Sequence, residues 1–447
     1  MIKVGYEQLK ITPPVSRSAA KTQSLLFILP MLVTTGVSVL IFSMVTGLSV
    51  KEQNTYSLII LGSVILSLLG MAPMQMVMYR LVDEPEFNDG GITRGLRAGI
   101  LYGLIYSIAI SVLALVGFFL KDFFLFSDIL FFTSLVLIYS LTWAITSAFF
   151  ATEQYIYPAL VFVLAYLIIY ILSLISFQLF PRYFWIAFIT GSALLPILSG
   201  IIALIVFKKP EGRHSVLSDV RNITKLIASN LMSVVFNVLY VVVIFLDKLI
   251  VWLSGGLIGD VNPVIGSPYT AGSFLGMIPM LGVCGVAYFT ARTRDLVKFR
   301  YDGTLAEIQK RVSEYKKIYI KSLLLSMFSA ILFTLAAGLA GYLLLPWEVL
   351  RIIVTIGIGC VFLVTILLNA SVLPLFGKTE VSTMAVASIL IFELASIPFV
   401  FENSWFAAAG FLAGNAVGFI MSLCYTAKLL RDFEYNLFRF LIMQVNK

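Results

Sequence analysis

Twelve long apolar runs within 447 residues leave this chain few possible folds. They lie at about 24–47, 56–79, 98–120, 129–151, 157–180, 184–207, 226–250, 270–291, 322–345, 352–374, 381–400 and 404–427. Each matches the roughly 20 residues of helix that cross a hydrocarbon core. An open sheet cannot satisfy its backbone donors and acceptors in lipid, so the runs read as helices. The basic residues then sort by side. With the N-terminus placed in the cytoplasm, 26 of the 31 Lys and Arg fall on the inner side. The outer side receives Lys51, Lys121, Arg182 and Arg351, and Lys248 lies within a run. Inner loops carry the excess of Lys and Arg, which predicts both termini in the cytoplasm. One span more or fewer would scramble this sorting, so it also supports the count of twelve.

The expected fold is an all-α polytopic protein of the plasma membrane, with twelve transmembrane helices in two six-helix lobes around a central cleft. The polar loop 208–225 separates six runs from six and places the lobes at 1–207 and 208–447. Such halves are related by an axis along the membrane normal. Two inner segments show helical periodicity outside the spans. Near 304–319, Thr304 and Glu307 form a capping box ahead of Leu305, Ile308, Val312, Tyr315 and Tyr319. Near 428–447, Leu430, Phe433, Leu437, Phe440 and Leu441 share a face. Both segments are expected to lie among membrane lipids at the headgroup level, or to dock a cytoplasmic partner.

Composition removes whole classes of function. The chain is 60% hydrophobic and only 12% charged, which no soluble class matches. Its +8 net charge reads as inner-side bias facing an anionic leaflet, not as a footprint for nucleic acid. The single histidine, His214, lies in a polar loop, so intramembrane enzymes that need histidines within the bilayer do not fit. Gly377-Lys378-Thr379 ends like a phosphate-binding loop, but Val372 stands where that motif requires Gly. The chain therefore reads as a non-enzyme without its own ATPase, cofactor or metal. Energy for transport would come from an ion gradient, the substrate's own gradient or a partner that pushes. Cys284, Cys360 and Cys424 sit far apart in apolar runs and read as packing residues.

Ionisable residues inside a span cost on the order of 2.5–3.5 kcal/mol each by insertion scales, so each asks for a role. Asp247 and Lys248 are adjacent in the seventh run. Helical neighbours point about 100° apart, so they are not expected simply to face each other. They would line a polar cavity, or pair with charges on other spans, or Lys248 would snorkel to the interface. Glu393 is the most central carboxylate. Burial favours its neutral form and makes it a candidate proton site; the bland alternative is a structural carboxyl paired with Lys248. Asn230, Asn237, Asn369 and Asn415 would bond across helices. Trp252 and Tyr269 lie near span ends, where an aromatic belt is the default and a sugar-stacking ring the alternative. Gly276, Pro279, Gly282 and Gly285 mark the eighth span as bent, and Gly410, Gly414 and Gly418 let a neighbour approach the twelfth.

One stretch carries a resemblance. It runs Phe245-Leu246-Asp247-Lys248-Leu249-Ile250-Val251-Trp252, then Ser267-Pro268-Tyr269, then Phe274-Leu275-Gly276-Met277-Ile278-Pro279. This resembles the PelG family, the membrane transporters of Pel exopolysaccharide systems. They belong with the multidrug/oligosaccharidyl-lipid/polysaccharide flippase superfamily. Motif similarity covers about 245–301, and span number and length extend it to the whole chain. The chain departs from the family's pattern in Tyr269-Thr270, where the family continues with Asp, and in Arg294-Asp295-Leu296, where it has an acidic-aromatic pair. The resemblance implies a polysaccharide substrate rich in amino sugars, made by a cytoplasmic glycosyltransferase partner. It also implies further membrane subunits, one of them sensing cyclic di-GMP. It places Asp247, Lys248, Trp252 and Tyr269 on the translocation route, with Glu393 and Asn237 as further candidates from the residues themselves. Alternatives on the same fold are an ion-coupled exporter of organic cations and a lipid-linked oligosaccharide flippase. A membrane scaffold without transport activity is the alternative outside that class.

Overall fold

The computed structural model describes residues 22–23, 25–30, 33, 50–83, 91–120, 126–180, 183–207, 216–257, 268–297 and 305–436. Apart from short turns and two 3-10 turns, these residues are α-helical. The helices are α1 Val50–Asp83, α2 Gly91–Leu120, α3 Phe126–Ala151, α4 Ile156–Leu179, α5 Phe184–Val206, α6 Val216–Ser229 and α7 Leu231–Leu257. They continue with α8 Pro268–Gly276, α9 Cys284–Val297, α10 Leu305–Leu344, α11 Trp347–Val372, α12 Thr379–Val400 and α13 Trp405–Arg431. Ten stretches are long and apolar enough to cross a membrane, and they match the third to twelfth runs of the sequence. The second run lies in α1, and most of the first lies outside the described residues. Leu204, Ile205, Phe328 and Leu335 stand exposed on the periphery, as lipid-facing side chains do. The chain is a multi-pass membrane protein.

The helices sort into two bundles. In the first, α3 packs against α1, α2 and α5, and α4 packs against α5. In the second, α11 packs against α8, α10 and α13, while α12 lies between α7 and α13. The bundles meet along α1 and α7. Part of the connecting loop is itself helical. In α6, Val220, Ile223, Leu226 and Ile227 pack on Met74, Met78, Leu96 and Phe149 of the first bundle. The chain turns at Asn230, so the seventh span starts at Leu231, five residues later than its apolar run suggests.

Small residues set the helix spacing in the second bundle. A Cβ at Gly414 would lie 2.5 Å from Ile389 Cα, and one at Gly410 would lie 2.9 Å from Ser396 Cβ. The glycine stripe of α13 is therefore the seat of α12. The eighth span is broken as its Gly and Pro predict: α8 stops at Gly276, a 3-10 turn covers Ile278–Val283, and α9 resumes at Cys284. Pro279 sits in that turn, where its missing donor costs least. Gly377, with φ 64°, caps the end of the eleventh-helix region, and Lys378 and Thr379 start α12. The loop-like Gly-Lys-Thr sequence is thus a helix–helix turn.

The two expected amphipathic segments are in contact with each other. Residues 305–319 are the first part of α10, a single 40-residue helix of about 60 Å. No Gly or Pro interrupts the chain between Leu305 and Ala337, so the helix has no reason to break at the membrane surface. Part of its apolar face is covered by protein. Val312, Tyr315, Ile318 and Tyr319 pack against Phe289, Phe376, Leu429, Leu430 and Phe433. Lys310, Arg311 and Lys317 take the exposed side. Leu430 and Phe433 of the tail are buried in that same contact, and Leu437, Phe440 and Leu441 lie outside the described residues.

Candidate functional site

α7 carries Asp247 and Lys248 into the middle of the second bundle, where both are 0% exposed. Lys248 therefore does not snorkel. The two side chains also meet, contrary to the expectation from helix geometry: Lys248 Nζ lies 2.9 Å from Asp247 Oδ1. Their Cβ directions diverge, but the flexible four-carbon stem of Lys spans the difference. Nζ folds back one turn and also donates to the Ile244 carbonyl at 3.2 Å. Its remaining surroundings are Met277 Sδ at 3.5 Å and the Phe274 ring, whose centroid is 5.3 Å away. The other carboxylate oxygen of Asp247 is claimed by α8. Tyr269 OH donates to Oδ2 at 2.9 Å and Ser273 Oγ at 2.6 Å. The two donors stand four residues apart, one turn of the helix, so α8 presents them together.

Glu393 approaches from α12. It is 0% exposed, interacts electrostatically with Asp247, Lys248 and Tyr269, and neither of its carboxyl oxygens has a hydrogen-bond partner. The break after α8 contributes as well, because it places Met277 beside the lysine. The cluster is thus an ion pair fully bonded on its aspartate side, with one carboxyl left over. Burying an ion pair is no gain over well-packed apolar residues of the same volume, whereas breaking one is costly. Such an arrangement holds α7 against α8 firmly in one state.

The six residues singled out in the sequence fall into two places. Asp247, Lys248, Tyr269 and Glu393 come together. Asn237 and Trp252 lie instead on the seam between bundles. Asn237 Nδ2 donates to the Ala72 carbonyl of α1 at 2.7 Å, and Trp252 packs with Leu61 and Ile65 of α1 and with Phe274. Neither Trp252 nor Tyr269 joins an aromatic belt, since their exposures are 7% and 2%. Ser273 and Met277 were not foreseen. Spacing from Tyr269 could have pointed to Ser273; Met277 lies within the resembling stretch, but nothing there marked it as a neighbour of Lys248. A second polar group lies deeper along the bundle: Tyr319 OH donates to Asn369 Oδ1 at 2.7 Å, and Asn369 Nδ2 donates to Ser422 Oγ at 3.0 Å. Among the described residues, no group of three or more His, Cys, Asp or Glu could hold a metal ion.

No protein-family model matches the sequence, and no curated protein matches it. The fold is nonetheless shared across nearly the whole chain with solved transporters. A multidrug resistance MATE family transporter of the MOP superfamily, in an outward-facing conformation, superposes with a TM-score of 0.67 at 14% identity. That match covers 95% of this chain and 100% of the other. The eukaryotic MATE transporter AtDTX14 gives 0.66 at 13% identity over 95% and 98% of the two chains. A MOP superfamily transporter from Pyrococcus furiosus, described as having a binding pocket of reverse polarity, gives 0.63 at 15% identity over 94% and 99%. The chain is similar to these proteins in having the twelve-helix, two-lobe fold of the MATE and MOP transporters.

Proposed function

We propose that this chain is a membrane transporter that moves an exopolysaccharide from the cytoplasmic side across the plasma membrane. The observation that carries the reading is the wholly buried Asp247–Lys248 pair with the unbonded Glu393 carboxyl beside it, set in a MOP-type fold. Apolar side chains would hold α7, α8 and α12 together at least as well. Ions kept at such a place fit a lobe that must change state. The substrate class is supported by the Pel-like sequence around Asp247 and Lys248, whose Tyr269 and Ile278-Pro279 all border the cluster or its helix break. In this reading both termini are cytoplasmic, and the basic ends of α10 and α13 face a glycosyltransferase and the anionic inner leaflet. The lobes divide at 207/208, further membrane subunits complete a synthase complex, and the growing polymer or an ion gradient supplies the energy.

A second reading, ion-coupled export of organic cations, is favoured by the leftover carboxyl of Glu393 and by the multidrug relative of the same fold. One experiment separates the two. The chain is expressed with a Pel-type polysaccharide glycosyltransferase in a host lacking surface polymer, and both surface polysaccharide and ethidium efflux are measured. Polymer that needs this chain, without a change in efflux, supports the first reading. Efflux without polymer supports the second. Reporter fusions after Phe207 and at Gly256 check the orientation: the first belongs in the cytoplasm and the second outside.

A further inference from the structure

The second bundle holds polar side chains that the ionic cluster does not use, and they continue from it in one direction. Contacts between helices fix their levels. Gly410 lies against Phe392 O and Ser396, so Phe411 stands level with Glu393. Asn415 follows one turn further along α13, then Ser422, then Thr426. On α11, Thr365 lies one turn from Asn369, which bonds Ser422. On α12, Ser382 lies three turns from Glu393 on the same face. Tyr319 and Tyr315 close the series from α10. From the level of Glu393 to Thr426 the rise is about 22 Å.

These groups are buried and largely unbonded. Asn415 Oδ1, Ser382 Oγ, Thr426 Oγ1, Tyr315 OH and both Glu393 oxygens have no hydrogen-bond partner, and all five residues are at most 2% exposed. A helical hydroxyl ordinarily bonds the carbonyl one turn back, as Thr365 does to Val361 at 3.2 Å, and then needs nothing else. Ser382 and Thr426 do not. Buried polar groups without a partner are costly, and ordered water bridging two to four of them is the usual remedy. At the far end three rings close over the series. Tyr315 and Phe433 have centroids 5.1 Å apart, and Phe376 and Phe433 5.2 Å. That end bears Lys316, Lys428 and Arg431, with Lys316 Nζ donating to the Arg431 carbonyl at 3.4 Å.

We propose that the inward faces of α11, α12 and α13 bind a file of water that gives Glu393 access to the solution at the basic end of the second bundle, with Tyr315, Phe376 and Phe433 as its closure. A proton exchanged through it is taken up or released at a Glu393 carboxyl oxygen, where the facing groups are Asp247 and Lys248 from α7 and Tyr269 from α8. The role of Glu393 as a coupling carboxyl rests on the transporter reading above; the hydration does not.

The test is radiolytic hydroxyl-radical labelling of the purified full-length protein, read by mass spectrometry and normalised to intrinsic ring reactivity. Radicals arise from water at the site, so a buried ring is marked only where water adjoins it. Tyr315 and Tyr319 should be labelled roughly tenfold faster than Phe131 in the aromatic core of the first bundle, since the proposed file of water would adjoin the two tyrosines and not Phe131. Phe433→Ala should raise the labelling of Tyr319. Thr426→Val, alone and with Asn415→Leu, should lower it while helix content is kept. Tyr319 labelled no faster than Phe131, both in the native protein and in Phe433→Ala, would overturn the proposal. Labelling unchanged by Thr426→Val would overturn it too. Loss of the polysaccharide reading would leave every one of these rates as stated, so the two failures are told apart.

Discussion

The two bundles bury different chemistry. In the first, the buried polar side chains among the described residues are all hydroxyls, from Ser63 and Ser107 to Thr142, Ser147 and Ser199. Several of them bond within their own helix: Ser63 to Ile59, Ser107 to Gly103, Thr142 to Ile138 and Ser147 to Trp143. Such bonds make no demand on a neighbouring helix, although Ser63 also reaches the Phe132 carbonyl of α3 at 3.3 Å. The second bundle buries Asp247, Lys248, Glu393, Asn369 and Asn415. Ions and amides have more bonding capacity than their own helix can fill, so they reach across. Asp247 ties α7 to α8, and Asn369 ties α10 through α11 to α13. The first bundle is linked across helices by hydroxyls, as from Tyr106 to the Leu66 carbonyl at 2.7 Å, whereas the second also uses ions and amides.

The largest test of that contrast is to remove one charge. Asp247→Asn leaves Lys248 buried without a counter-charge, and Lys248→Met does the converse. Each should cost about 3–5 kcal/mol and reduce both folded protein in the membrane and export. The double variant Asp247→Asn with Lys248→Met removes the imbalance and should regain most of the folded protein. Thermal unfolding in detergent, with surface polysaccharide measured beside it, reads both quantities. If both single variants unfold as the native protein does, the pair is no fastening. If the double variant also regains export, the pair is a structural or gating contact and does not bind substrate.

Glu393→Gln comes next, because its effect should split between the two measurements. The side chain keeps its shape, and its oxygens have no hydrogen bond to lose. Stability should move by no more than about 1 kcal/mol. Export should nevertheless be lost if the carboxyl takes up a coupling proton. Native export from this variant would make Glu393 a structural residue and leave the organic-cation reading without its main support.

How much of this was legible beforehand depended on whether a residue's role is local. The spans were readable because lipid imposes a length and a polarity that each run must meet alone. Asp247, Lys248 and Glu393 stood out for the same reason: a charge in an apolar run is conspicuous one residue at a time. Their geometry was not readable. The course of the Lys248 stem is set by Phe274 and Met277, which are 26 and 29 residues away in sequence. Ser273, which donates to Asp247, looks like any serine in a helix. The protein partners of the 304–319 segment were not readable either, because its apolar stripe suits a lipid headgroup layer and a protein surface equally. Tyr315 and Tyr319 face Phe433 and Asn369, partners more than 45 residues away, and the helix runs straight on.

A matched pair of substitutions, one of them with the smallest effect of all, bears most directly on the contrast between the bundles. Asn369→Leu in the second bundle removes the amide that receives Tyr319 and donates to Ser422, and leaves both buried. It should cost about 1–3 kcal/mol, the penalty of an orphaned buried group. Thr142→Val in the first bundle removes a hydroxyl whose bond is to its own helix at Ile138, 2.8 Å away. The carbonyl keeps its helical partner, the volume is unchanged, and Val suits the apolar surroundings. Its effect should stay within about 0.5 kcal/mol, the range of a substitution that disturbs no specific feature. Unfolding of both variants under one condition compares them directly. If Thr142→Val costs as much as Asn369→Leu, a hydroxyl bonded within its own helix matters to the first bundle as much as an amide bonded across helices does to the second. The polar fastening would then be general to the fold and not a property of the half that holds Asp247 and Glu393.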